Sequence, residues 1–245
     1  MFPEFPNNPR VAVIGATGAI GHALLTRLEA AYPQGTFYAL SRTKPEGELP
    51  PQRTWMHLDL LEESSIEEAA KAIKAEGPLN ALFVATGLLH DGPEFQPEKS
   101  IRRLDPSTLE RSFKVNAVGP ALVGKHFLPH FPRSGRTYFA VLSARVGSIS
   151  DNRVGGWYGY RASKAALNMY LKNFSIECAR SHRELVIAGL QPGTVDSKLS
   201  KPFQGAAKKV LDPMVSAEGL LQAVASLTSE DTGCLIDWQG QTFSP

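Results

Sequence analysis

The chain has 245 residues, with 26 basic and 24 acidic side chains and a net charge of +2. Hydrophobic residues make up 42% and charged residues 20%, an ordinary globular composition that excludes intrinsic disorder and fibrous architecture. So even a balance leaves no basic footprint for nucleic acid or a membrane surface. Cys178 and Cys234 stand far apart and form neither a disulfide framework nor a C-x-x-C pair, which fits a reducing, cytoplasmic setting. The longest apolar stretch, Ala81 to Leu89, is broken by Thr86 and Gly87 and is about half the length a spanning helix needs. The histidines show no metal-ligand spacing, so no metal is expected.

Residues 1–9, rich in proline, read as a short arm without signal-peptide character. Arg10–Gly15 is an apolar run ended by glycine, a buried-strand pattern. Ala19–Tyr32 places Ile20, Leu24, Leu25 and Leu28 at helical spacing. Thr36–Leu40 and Thr54–Leu58 are the next strands. Ser64–Glu76 is a helix, with Ser64 and Glu67 as its capping box. Leu79–Ala85 is a strongly apolar fourth strand, followed by the loop His90–Asp105. Pro106 opens a long helical stretch with a kink at Pro120. Arg136–Leu142 is a strand, Gly147–Gly159 a glycine-rich loop, Tyr160–Ser181 a helix, and Leu185–Leu190 and Cys234–Trp238 the last strands.

Strands joined by helices need crossover connections, hence parallel neighbours, and near-continuous apolar strands fit a sheet covered on both faces. The expected fold is α/β: a doubly wound parallel sheet of the Rossmann type, in a single domain over residues 1–245. Ligands then bind at the carboxyl ends of the strands.

The loop after the first strand reads G-A-T-G-A-I-G, with Gly15, Gly18 and Gly21. Glycine there allows a tight turn, close approach of a pyrophosphate to the backbone, and close helix–strand packing. The alternative is an ordinary strand–helix turn. Where a carboxylate would hold a ribose 2′-hydroxyl, the second strand ends in Ser41 and Arg42. A guanidinium matches a phosphate by bidentate hydrogen bonds and a carboxylate would repel it. The pair therefore points to NADP(H), with Arg42 clamping the 2′-phosphate and Ser41 adding a hydroxyl, and NAD(H) second. Further on, Y-R-A-S-K puts Tyr160 and Lys164 four residues apart, on one helix face. A free phenol titrates near about 10. A neighbouring ammonium and a cationic nicotinamide ring both favour the phenolate, so a lowered value is expected. Such a phenol can exchange a proton with a carbonyl or alcohol oxygen.

These motifs, in this order, resemble the short-chain dehydrogenase/reductase family. Its T-G-x-x-x-G-x-G loop is met by Gly15 and Gly21, with Ile14 for the threonine, Ala19 for the middle glycine and Gly18 one place early. The resemblance implies cofactor contacts from Gly15, Thr17, Gly18, Ala19, Ile20 and Gly21. It also implies Asp59 and Leu60 beside the adenine, with a loop cap as the equal alternative for Asp59. V-A-T-G stands where the family has N-N-A-G, so Gly87 alone carries over. Asn116, in K-V-N-A-V-G, resembles the asparagine that supports a water near the lysine. P-G-T-V-D-S resembles P-G-x-V-x-T, which closes over the nicotinamide, and assigns Pro192, Gly193, Val195 and Ser197. Tyr160 and Lys164 would also touch the cofactor. The strict offset for the family's substrate-polarising serine falls on Ala144; Ser143 ends the strand and is the choice, with Ser148 and Ser150 in reserve. The wording around L-S-A-R-V-G-S-I-S-D-N and Y-R-A-S-K-A-A-L-N looks like the sniffer-like carbonyl reductase and C-factor branch.

What the resemblance implies is an NADP(H)-dependent carbonyl reductase or alcohol dehydrogenase acting on a small carbonyl or alcohol. Its catalytic set would be Tyr160, Lys164, Ser143 and Asn116. The alternative is a non-catalytic, dinucleotide-sensing or signalling protein on the same fold. Residues 197–217 would cover the substrate. Lys201, Lys208 and Lys209 there are either solvated charges, the favoured reading, or attractors for an acidic substrate. Trp157, Tyr158 and Phe203 are candidate pocket walls, with ordinary packing as the alternative. Family practice implies a homodimer or homotetramer through Pro106–Phe127 and Tyr160–Ser181.

Overall fold

The structure is a computed structural model and describes residues 1–206 and 209–245. The strands are β1 (Arg10–Ile14), β2 (Thr36–Ser41), β3 (Arg53–His57), β4 (Ala81–Val84), β5 (Thr137–Leu142), β6 (Leu185–Gln191) and β7 (Cys234–Asp237). They form one parallel sheet in the order β3-β2-β1-β4-β5-β6-β7. The chain runs outward from β1 in one direction through β2 and β3, then returns to the other side of β1 at β4. That switch point opens a crevice above the carboxyl ends of β1 and β4.

The helices are α1 (Ala19–Ala31), α2 (Glu63–Glu76), α3 (Pro106–Phe113), α4 (Gly119–Phe127), α5 (Tyr158–Cys178) and α6 (Pro213–Ser226). Successive strand residues point to opposite faces, and each face has its own core. Val11, Val13, Phe37, Ala39 and Phe83 pack with Leu24, Leu25 and Leu28 of α1 and Leu220, Leu221 and Val224 of α6. Ala12, Ile14, Tyr38, Leu40 and Val84 pack with Ile66 and Ile73 of α2, Phe127 of α4 and Leu167 and Leu171 of α5. Each fully buried large side chain contributes about 1.5–3 kcal/mol. The arm adds Phe2 and Phe5, stacked on each other against Tyr138 at the amino end of β5.

Several sequence expectations need correction. The Ser64–Glu67 capping box does not form: α2 starts after Glu62 without a side-chain cap. Ser65 is the engaged serine, its Oγ accepting from the Asp59 amide. The break before Pro120 is a π-helical turn, Lys114–Val118, rather than a simple kink. Proline has no N–H for the carbonyl four residues back, Asn116, and the backbone widens so that the Gly119 amide bonds Lys114 O instead. Helix α6 lies in the tail after β6, expected without a helix, and is started by Asp212-Pro213: the Asp212 carboxylate accepts from Met214 N at 2.7 Å. It also takes residues 213–217 out of the expected covering segment. The two cysteines are free thiols on α5 and β7.

Candidate active site

The turn after β1 is built as its glycines demand. Gly15 has φ of +83°, and a Cβ there would sit 2.6 Å from Ala85 O. A Cβ on Gly21 would run into the Gly15 carbonyl. Helix α1 thus starts pressed against the turn, with Gly18 at its N-cap and no side chain capping its first N–H groups. Those donors, at the positive end of the helix, face the crevice entrance.

Gly15, Thr17, Gly18, Ser41, Arg42, Asp59, Leu60 and Gly87 line one cleft of about 540 Å³. Ala19 and Ile20 stand half-buried at the start of α1, and Gly21 is buried beneath the turn. The Arg42 side chain is exposed. Ser41 is already engaged: its hydroxyl donates to Thr43 O at 2.8 Å and accepts from Trp55 Nε1 at 3.0 Å. With its proton spent there, Ser41 is no second donor beside Arg42. Asp59 caps its own loop, one carboxylate oxygen accepting from Leu61 N at 2.9 Å. Leu60 packs against α4, where Gly119 leaves room for it.

Next to Gly87 at the cleft wall, three of the expected side chains converge. Tyr160 and Lys164 lie on one face of α5, with Nζ 5.9 Å from the phenol ring centroid. Lys164 is 2% exposed, and Nζ donates to Leu142 O at 2.8 Å. Asn116 sits within the π turn and clasps the loop after β4 in both directions. Its Nδ2 donates to Leu88 O at 2.8 Å, and its Oδ1 accepts from Leu88 N at 2.7 Å. Nδ2 also reaches Ser163 Oγ at 3.2 Å. Gly87 joins cluster to cleft: a Cβ there would lie 3.8 Å from Lys164 Nζ and 3.9 Å from Asn116 Oδ1.

Burial sets the titration of the pair. It pushes the Tyr160 phenol up to about 12 and draws the Lys164 ammonium down to about 7. The lowered phenol expected from the sequence is therefore reversed in the protein by itself. Desolvation disfavours both charged forms.

Ser143 does not join the cluster through its hydroxyl. It is buried, and Oγ donates to Asn168 Oδ1 at 2.5 Å. Ala144 stands at the strict family offset and has no donor side chain. Ser148 is also buried; its Oγ accepts from Asp151 N at 3.2 Å and lies 3.4 Å from Ser150 Oγ. Ser150 in turn donates to Pro245 O at 3.1 Å. The preceding Gly147 presses onto α5, where a Cβ would come 2.8 Å from Lys164 Cβ.

Beyond β6, Pro192 O accepts from Ser216 Oγ at 2.8 Å, and Gly193 turns with φ of +77°. Val195 is buried and its carbonyl takes the Ser200 hydroxyl, which leaves its N–H as the available backbone group. Ser197 Oγ bonds Ser200 Oγ at 3.3 Å. Trp157 and Phe203 meet edge to face, with centroids 5.1 Å apart, and Trp157 meets Tyr160 at 6.3 Å. His90 closes the row on Phe203, whereas Tyr158 is exposed. Lys201 faces Asp196, and Lys209 lies over Trp238; Lys208 falls outside the described residues. Leu88, Arg111, Lys198 and Leu199 line the cleft without having been singled out in the sequence. Leu88 follows β4, Arg111 belongs to α3, and Lys198 and Leu199 follow β6; none of them falls in a motif.

The sequence model of the short chain dehydrogenase family matches residues 9–208. The chain belongs to that family of oxidoreductases. Among relatives, it is 29% identical over 177 residues to a 1-hydroxy-2-glutathionyl-2-methyl-3-butene dehydrogenase of Rhodococcus sp. (strain AD45), covering 72% of this chain and 73% of that one. It is 32% identical over 137 residues to the C-signal protein of Myxococcus xanthus, covering 56% and 78%. Among solved structures, the carbonyl reductase Sniffer of D. melanogaster superposes with a TM-score of 0.83 at 21% identity, covering 97% and 100%. An NADPH-bound carbonyl reductase from chicken fatty liver gives 0.83 at 22%, covering 99% and 97%. Among the described residues, no helix is long and apolar enough to cross a membrane.

Proposed function

We propose that this protein is an NADP(H)-dependent carbonyl reductase. One observation carries the reading: Gly87 links a glycine-walled cleft to Lys164 and Asn116, with the Tyr160 ring beside the lysine. The residues fit a dinucleotide. The α1 N–H groups are uncapped beside the cleft-lining Gly15, Thr17 and Gly18, and Arg42, which lines the same cleft, has no ion-pair partner among the described residues. Gly15, Thr17 and Gly18 would hold the pyrophosphate, Arg42 the 2′-phosphate, and Val195 and Ser197 the nicotinamide end. When bound, NADPH supplies the hydride.

Tyr160, protonated well above neutral pH, donates its proton to the substrate oxygen. Lys164, held by Leu142 O, contributes positive charge beside the phenol and favours the phenolate that remains. Asn116 fixes the loop that brings Gly87 to the lysine. The proton of Ser143 goes to Asn168, so Ser148 is our choice for the hydrogen bond to the substrate oxygen. Trp157 and Phe203 form an aromatic wall beside the phenol. The exposed Met169, Tyr170 and Ile176 of α5 fit a homodimer or homotetramer, read out by the mass of the particle in solution.

NADPH oxidation over a panel of aldehydes and dicarbonyls tests the reading. Tyr160→Phe should abolish turnover while NADPH still binds. Ser148→Ala should lose about 100-fold or more in rate, as for other lost oxyanion donors, and Ser143→Ala far less. Ala144 and the C-signal relative favour a second reading, a dinucleotide-binding signalling protein. Tight NADPH binding without turnover across the panel would establish that one instead.

A further inference from the structure

We propose that Glu98 is a positioning residue for Tyr160, a carboxylate from the loop between β4 and α3 that caps the first turn of α5. The inference rests on the reading of Tyr160 as proton donor. Helix α5 has no cap of its own. It starts after Trp157, a left-handed residue at φ 49° whose side chain caps nothing. The first N–H groups of a helix need acceptors from elsewhere, and Glu98 supplies two. Its backbone carbonyl accepts from Trp157 N at 2.6 Å, and its Oε2 accepts from Gly159 N at 3.0 Å. Tyr160 is the next residue.

The arrangement is specific. Glu98 is 4% exposed, and burial of a carboxylate is costly unless it is hydrogen-bonded. Gly159 makes the approach possible: a Cβ there would lie 3.0 Å from Glu98 Oε1 and 3.1 Å from Ser112 Oγ. Among the described residues Oε1 has no hydrogen-bond partner, so the hydrogen bond that offsets burial runs from the helix backbone to Oε2. A charged acceptor at a helix N-terminus is favoured by both the hydrogen bond and the helix dipole. The same β4–α3 loop is gripped at Leu88 by Asn116. One loop thus ties the π turn, the lysine side of the cluster and the start of α5 into a single frame. A phenol on an uncapped turn loses its aim, and misplacement by about 1 Å costs roughly 100-fold in rate.

The test compares Glu98→Ala and Glu98→Gln in the full chain, read by amide hydrogen exchange along α5 and by NADPH-dependent turnover. Glu98→Ala should speed exchange at residues 157–161, leave residues 165–178 protected, and lower kcat about 10- to 100-fold with little change in the KM for NADPH. Glu98→Gln keeps an acceptor oxygen and should restore most of both. Unchanged exchange in the first turn of Glu98→Ala would overturn the proposal, as would loosening of the whole helix, which marks a general folding role. If instead Tyr160→Phe keeps its turnover, the catalytic reading fails, while the exchange result still decides whether Glu98 holds the turn.

Discussion

Arg42 is exposed at the end of β2, has no ion-pair partner among the described residues, and lines the cleft opposite the glycine turn. A charge-assisted bond to a phosphate is worth about 1.5–3 kcal/mol, so Arg42→Ala should weaken NADPH about 10- to 100-fold and NADH little. Equal losses in a binding titration would remove the phosphate clamp. Lys164 makes a second expectation. Its ammonium falls to about 7 in the fold from 10.5, so between those values the unfolded chain holds a proton that the folded chain lacks. Stability of the cofactor-free protein should therefore rise from pH 7 to pH 9. Tyr160 acts oppositely and later: the fold keeps the phenolic proton up to about 12 against an ordinary 10.0, so stability falls as pH climbs across that window. Urea midpoints at pH 7 and 9 check the first effect, and Lys164→Met should flatten the rise. The residue identities were legible because Tyr160, Lys164 and Gly15 carry their chemistry in spacing. Ser143 was not, because a strand-end serine reads the same whether it faces a cleft or Asn168. Glu98 escaped notice because a cap supplied from a distant loop leaves no local pattern.

At the level of elements, each strand was visible to within a residue or two, since runs such as R-V-A-V-I stay apolar on both faces. What the pattern hid was interruption. The stretch from Pro106 to Phe127 is amphipathic throughout, yet it is three pieces with a π turn in the middle. Pro120 marks the disturbance but cannot say which turn absorbs it. The answer lies in Gly119, whose missing Cβ lets the helix close on Leu60. The sequence pattern places the start of α5 at Tyr160, two residues late, for a related reason. Gly155 and Gly156 both have positive φ and look like an open loop, although the helix begins just after Trp157.

Across the molecule, the two ends of the strands do different work. The carboxyl ends hold the cleft, and the amino ends are covered by the arm. Phe2 is 2% exposed and stacks on Phe5 over Tyr138, and the Tyr32 hydroxyl accepts from its amide at 2.8 Å. Phe2→Ala should cost about 3 kcal/mol in chemical denaturation. Turnover per folded molecule should hold, because the whole sheet lies between arm and cleft. Loss of turnover in proportion to the stability change would show that the two ends are coupled. The arm's composition announced a surface segment, and its two phenylalanines were the unheeded sign of anchorage.

Residues 243–245 belong to the other end. Arg145 lies over the Phe243 ring and pairs with Asp237, while Pro245 O holds the Ser150 hydroxyl. Phe243 and Pro245 thereby brace the serine-bearing loop. Phe243→Ala should slacken that loop and lower turnover from a place no active-site map would mark.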